Sequence, residues 1–223
     1  MKNLLCCAIL FLALPLYSQT APAAAAPAAT PSTQALPAPA RTGGMSLNDA
    51  LQHRRSVRNF TAVPLTMEEI SQLLWAAQGV TGEHGQRTAP SARARYYLHV
   101  YVAKADGFFE YLPATHALAK LGGTDVRAVL SEQQSVKDAP VTFLIAGDYE
   151  RAIKEWGDLG GRRFVDLEAG HATQNLLLEA VALGLGGVPA GGADPVETAR
   201  AVKATRLPAD IVPIYLVPVG HGK

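Results

Sequence analysis

With 223 residues, 48% of them apolar and only 17% charged, the chain has the length and composition of one folded domain with a full core, which excludes a disordered protein. Its 20 Lys and Arg against 19 Asp and Glu leave a formal net charge of +1. No basic face is available to neutralise a phosphate backbone, so a general nucleic-acid binder is excluded and no nucleic-acid partner is expected.

Lys2, an apolar stretch from Leu4 to Leu16 and small and polar residues around Ser18 form the three parts of a secretory signal, predicted over 1–19. Pro15 interrupts the apolar run before the about 20 residues that a spanning helix needs. The expectation is an exported bacterial protein, periplasmic or secreted, with no membrane insertion once the signal is removed. Removal also takes Cys6 and Cys7, leaving the mature chain without disulfide or thiol chemistry. Residues 20–45, almost only Ala, Pro, Thr and Ser as far as Thr42, read as a disordered tether. The folded domain is expected over 46–223.

Ser46 and Asp49 predict a capped helix start, with Leu47, Ala50 and Leu51 on one face. The helix gives way to extended chain at RRSVRNF, 54–60, where Arg54 and Arg58 stand two positions either side of Ser56. Guanidinium groups match phosphate oxygens in a planar fork, and a serine hydroxyl adds a short hydrogen bond. On these residues alone two readings stay open, a phosphate grip or a solvated basic patch. Thr66 and Glu69 predict a second capping box, followed by Ile70, Leu73, Leu74 and Ala77 at helical spacing and a stop at Gly79.

Residues 81–95 read as a loop. Leu98, Val100 and Val102 alternate over a predicted strand at 97–102, and the apolar run 141–146 suits a central strand. The longest helix is predicted over 162–183, buried on several sides, before the glycine-rich passage GLGGVPAGG at 184–192. On it, Glu168, His171 and Asn175 lie a turn apart; no second ligand pair accompanies them, so they read as buried polar groups of helix packing or a dimer interface rather than metal ligands. Asp194 predicts a cap for a helix with Pro195 at its first position, and 211–219 a last strand. The order becomes helix, helix, strand, helix, strand, long helix, short strand, helix, strand, which is α+β layering rather than regular βαβ alternation.

RRSVRNF, APS at 89–91, LEAGHATQNLLLEAVALGLGGVPAGG at 167–192 and VPVG at 217–220 together resemble the nitroreductase-like family of FMN-dependent oxidoreductases, with the SagB-type dehydrogenases as the most similar subgroup. The resemblance covers roughly 46–220. It implies a three-layer α+β sandwich, with an antiparallel-rich central sheet flanked by helices and the long helix at a homodimer interface that carries FMN. Matched position by position, Arg54, Ser56 and Arg58 take the flavin phosphate and ribityl chain, with Arg55 offering backbone. Pro90, Ser91 and Ala92 match a loop that reaches across to the flavin of the other subunit, where a serine hydroxyl can donate to the ring. Pro189, Ala190, Gly191 and Gly192 match the segment beside the isoalloxazine, where glycine lets backbone N–H groups approach the ring edge. Gln133 matches an amide at the pyrimidine edge, and His221 a group near the phosphate.

The implied activity is hydride transfer between the flavin and a small-molecule or peptide substrate, by nitroreductase or SagB-type chemistry and ping-pong kinetics, with reduced nicotinamide or another electron carrier as partner. The chain departs from the subgroup at Arg93 and Tyr97, where relatives commonly have Gly and Pro. Arg93 at the flavin face would favour an anionic substrate. An exported flavin- or ligand-binding protein of the same fold without turnover is the alternative.

Overall fold

The computed structural model describes residues 31–191 and 195–223. The expected signal at 1–19, Gly192 and the Asp194 cap lie outside them. Helices α1 (Leu47–His53) and α2 (Met67–Gln78) begin where the caps predict. Ser46 Oγ accepts from the Asp49 amide at 3.1 Å. The α2 box is reciprocal, with the Glu69 amide donating to Thr66 Oγ1 and the Thr66 amide to Glu69 Oε2. Strands β2 (Leu98–Lys104), β3 (Gly107–Leu112) and β4 (Ala117–Gly122) precede short helices α3 (Arg127–Leu130) and α4 (Gln134–Asp138). After them come β5 (Val141–Asp148), α5 (Tyr149–Ala182), β6 (Gly186–Gly187), β7 (Ala190–Gly191), α6 (Pro195–Thr205) and β8 (Ile211–Gly220). With β1 (Thr33–Ala35), the strands form one antiparallel sheet in the order β1-β4-β3-β2-β5-β8-β6, with β7 also on β8.

Period-two alternation in the central strands feeds two separate cores. Val100 and Val102 of β2, Phe143 and Ile145 of β5, and Val217 and Val219 of β8 pack with Ile70, Leu73 and Leu74 of α2 and Ala169, Ala172 and Leu176 of α5. Tyr101 and Ala103, Leu144 and Ala146, and Leu216 face the other way, against Leu130 of α3, Val136 of α4 and Ala201 of α6. This is the expected three-layer α+β sandwich.

Three expectations are corrected. Residues 33–40, inside the predicted tether, belong to the fold: β1 pairs with β4, Leu36 is buried, and Ala40 exchanges two hydrogen bonds with the Gln72 amide. A poor core-former can still satisfy the open edge of a sheet that others have built, and composition carries no sign of that pairing. In place of the single helix expected between the first two central strands stand the β3–β4 hairpin, turned at Pro113–His116 with His116 at φ 47°, and the two short helices α3 and α4. The long helix starts at Tyr149, capped by Asp148, and breaks at Gly157 with φ 74°. The glycines at 157, 160 and 161 interrupt the apolar period and hid the helix over 149–161.

Candidate active site

Arg54 closes α1 with extended dihedrals (φ −58°, ψ 120°) and leads into chain that lies on β6. Ser56 bridges Gly187, and the Val57 amide donates to the Gly187 carbonyl at 3.1 Å. Val57 turns inward onto Gly186, where a Cβ would come within 2.6 Å of the valine's own Cβ. Ser56 and Arg58, its neighbours, are left exposed, as the two-residue period of extended chain requires. Arg55 is spent locally: its guanidinium donates to the Gln52 and Arg54 carbonyls at the end of α1. The guanidinium groups of Arg54 and Arg58 have neither a carboxylate nor a hydrogen-bond partner among the described residues. The chain end joins this cluster. Thr61 donates to the His221 carbonyl, Phe60 bridges Gly222, and His221 Nε2 lies 3.9 Å from Glu69 Oε1.

From Gly187 the chain follows β8 to Ala190 and Gly191, which pair with Leu216 and Tyr215. Gly187 is opposite Val219 and Ala190 opposite Leu216, so the arginine segment and β7 sit about 10 Å apart along one strand. A Cβ on Gly191 would come within 2.2 Å of the Tyr215 ring, so the backbone approach requires glycine. Gln133, at the N-cap position of α4, lines a pocket with Ala190, Gly191 and Tyr215. The structure thus groups Arg54, Ser56, Arg58 and His221 at one end of β8, and Gln133, Ala190 and Gly191, preceded by Pro189, along it.

Pro90, Ser91 and Ala92 stand apart from these groups, on the 87–97 loop packed against α5. Ser91 Oγ donates to Glu168 Oε2 at 2.6 Å and accepts from the Tyr96 amide at 2.8 Å. Its proton is therefore turned inward, and the hydroxyl has none to offer a ring, contrary to the role the resemblance implies. Arg93, Ala94 and Tyr96 have φ of 50°, 55° and 51°, a left-handed conformation that costs about 1–2 kcal/mol per residue. Contacts from α5 hold it. Arg151 donates to the Tyr96 carbonyl, Glu155 accepts from Arg95 and the Tyr97 hydroxyl, and the Arg93 guanidinium lies 4.8 Å over the Trp156 ring.

Glu168 is the residue whose role the spacing did not disclose. It is 2% exposed. Burial pushes its carboxyl above the usual carboxylate range, against the Ser91 and Tyr97 hydrogen bonds that favour the charged form. Burial likewise lowers Arg87, which donates to the buried Gln78 amide oxygen and stacks 4.4 Å over Tyr96. The signal was a carboxylate in the apolar stripe of a long helix. His171 is exposed and Asn175 donates to the Thr88 carbonyl. Among the described residues no group of His, Cys, Asp and Glu could hold a metal.

The Nitroreductase family model matches residues 51–221. The chain belongs to the nitroreductase family. A Methanocaldococcus jannaschii protein that bears the name nitroreductase is 37% identical over 187 residues, 79% of this chain and 91% of that one. Among solved structures, a Ralstonia eutropha protein titled a nitroreductase superposes with a TM-score of 0.80 at 32% identity, over 86% of this chain and 90% of its own. The NADPH:FMN oxidoreductase of Vibrio harveyi, solved with NAD+, shares the nitroreductase fold at 21% identity and a TM-score of 0.58, over 79% of this chain and 69% of its own. The nitroreductase assignment makes this chain an oxidoreductase.

Proposed function

We propose that the protein is an FMN-dependent oxidoreductase that passes hydride between the flavin and a small organic substrate. The observation that carries this reading is the arginine pair. Arg54 and Arg58 flank Ser56 at the end of β8 with no carboxylate partner among the described residues, so they serve the fold little and an anion well. The rest fits a ligand with an anionic head and a flat body. The head sits at the arginines, and the body follows β8 to the close backbone approach at Gly191 and the Gln133 amide.

When bound, FMN supplies the hydride acceptor and donor. Arg54 and Arg58 would hold its phosphate, Ser56 and the ribityl hydroxyls would exchange hydrogen bonds, and His221 would add a donor at the same end. Gln133 would serve the pyrimidine edge, and Pro189, Ala190 and Gly191 the ring edge through their backbone. Pro90, Ser91 and Ala92 would wall the ring by shape rather than through the serine hydroxyl. A homodimer completes the site in this reading: Leu47 and Leu51 on α1 and Leu167 on α5 are 64%, 52% and 47% exposed, an apolar surface that a second copy would bury. Arg93, exposed beside Trp156, would favour an anionic substrate. A shared cleft for donor and acceptor gives ping-pong kinetics, with a reduced nicotinamide or another electron carrier as donor. SagB-type oxidation of a small molecule or peptide, in an exported protein, is the finer form of the reading.

The test is the visible absorption spectrum of the purified domain, before and after FMN is added and the excess removed. Stoichiometric retention, followed by reduction and reoxidation with small-molecule couples, carries the proposal. Retention without turnover leaves a flavin-binding protein, and a folded protein that holds no FMN overturns the reading.

A further inference from the structure

The Glu168 carboxyl is almost wholly enclosed, yet it touches neither the arginine cluster nor β7. Its Oε2 accepts from Ser91 Oγ at 2.6 Å and from the Tyr97 amide at 3.3 Å. Its Oε1 is buried and has no partner. Ser91 Oγ in turn accepts from the Tyr96 amide. One oxygen therefore holds both ends of the segment 91–97, and between those ends lie Arg93, Ala94 and Tyr96 at positive φ. Side chains adopt that conformation when the surroundings over-determine it, and such segments cluster at ligand clamps. A surface loop with no task would not need a buried acid, a cost that burial makes large unless its hydrogen bonds are used.

We propose that Glu168 is a positioning residue for the flavin-facing loop: through the Ser91 hydroxyl and the Tyr97 amide it fixes the left-handed turn that sets Pro90, Ala92 and Arg93 against the ring. The proposal rests on the flavin reading above. It assigns the Ser91 hydroxyl the part of a strut, and leaves the loop's backbone and the Arg93 charge to meet flavin and substrate. Glutamine, whose amide oxygen can take the place of Oε2 as acceptor for the Ser91 hydroxyl and the Tyr97 amide, is the near-isostere, and alanine removes the clamp.

Two measurements test this on the whole chain. The first is amide hydrogen exchange of the 91–98 segment in flavin-free protein. Glu168→Ala is expected to speed exchange at Tyr96 and Tyr97 by about tenfold or more, since protection follows the local opening equilibrium, and Glu168→Gln is expected to restore it. Should Glu168→Ala not fold, Ser91→Ala provides the same test, freeing the Tyr96 amide and sparing Tyr97. The second is the visible circular dichroism and dissociation constant of added FMN. A changed spectrum and about tenfold weaker binding in Glu168→Ala, both rescued by Glu168→Gln, are expected. A purely structural acid would lower the melting temperature and leave the bound-flavin spectrum alone. Unchanged exchange in the alanine variants overturns the clamp. Faster exchange with an unaltered flavin signal overturns the positioning role. If the wild-type protein holds no FMN, the flavin reading fails with that role, while exchange still reports on the clamp.

Discussion

Replacing Arg54 and Arg58 by glutamine separates anion recognition from folding. Arg58 is exposed and Arg54 half-buried, and neither is paired among the described residues, so no carboxylate is orphaned by the change. Stability should therefore move by no more than about 0.5 kcal/mol. A hydrogen bond to a charged group contributes about 1.5–3 kcal/mol, and solvent at this site places each arginine at the low end. One substitution is then expected to weaken FMN about tenfold. The pair should reach about 30- to 100-fold, short of strict additivity because both side chains hold one phosphate. Quenching of flavin fluorescence measures this, with riboflavin titrated in parallel because it lacks the phosphate. The double variant should bind FMN no better than riboflavin, leave riboflavin affinity at its wild-type value, and lose most of the salt dependence. Equal losses for both ligands, or an unaltered FMN constant at unaltered melting temperature, would refute the phosphate grip.

Gly191→Ala forces a Cβ to within 2.2 Å of the Tyr215 ring. It is expected to cost about 1–3 kcal/mol of stability and to reduce FMN retention, read by thermal melting and the flavin spectrum. Leu47→Glu with Leu51→Glu places two charges on the exposed face of α1; sedimentation velocity should show the proposed wild-type dimer reduced to a monomer, with weaker flavin retention. His116 gives a pH dependence. Burial lowers its pKa from the usual 6.5, against the Pro37 carbonyl, which favours the charged form. The folded state thus binds fewer protons than the unfolded one, and this contribution is complete above about pH 6.5 and fades as pH falls below it. His116→Gln should flatten the stability profile between about pH 7 and 5 relative to wild type. Buried Glu168 and half-buried Glu179 tilt the profile the other way, so the difference between the two proteins is the quantity to measure; identical slopes would disprove the assignment.

Local chemistry was legible in the chain. The caps at Ser46 and Thr66 depend on side chains within three residues of the amides they serve, and β2 and β5 announce themselves by alternation and by an unbroken apolar run. RRSVRNF declared a cluster of cations, since guanidinium groups so close together repel and cannot satisfy one another. The α+β class, the two capped helices and the central strands were therefore written in the local pattern of the chain.

Only the tertiary structure decided which distant segments meet. The lone edge of β4 recruited β1 from a stretch with no core-forming composition, since backbone hydrogen bonding is indifferent to side-chain type. The arginines came to one end of the candidate site because Gly186 lets Val57 close on β6. Glu168 read as one polar residue in a long helix until folding brought Ser91 and the Tyr97 amide to it across 77 and 71 residues of chain. The physical reason is range. Capping and alternation act between neighbours in the sequence, whereas burial and the hydrogen bonds it makes obligatory depend on what the fold sets opposite each group.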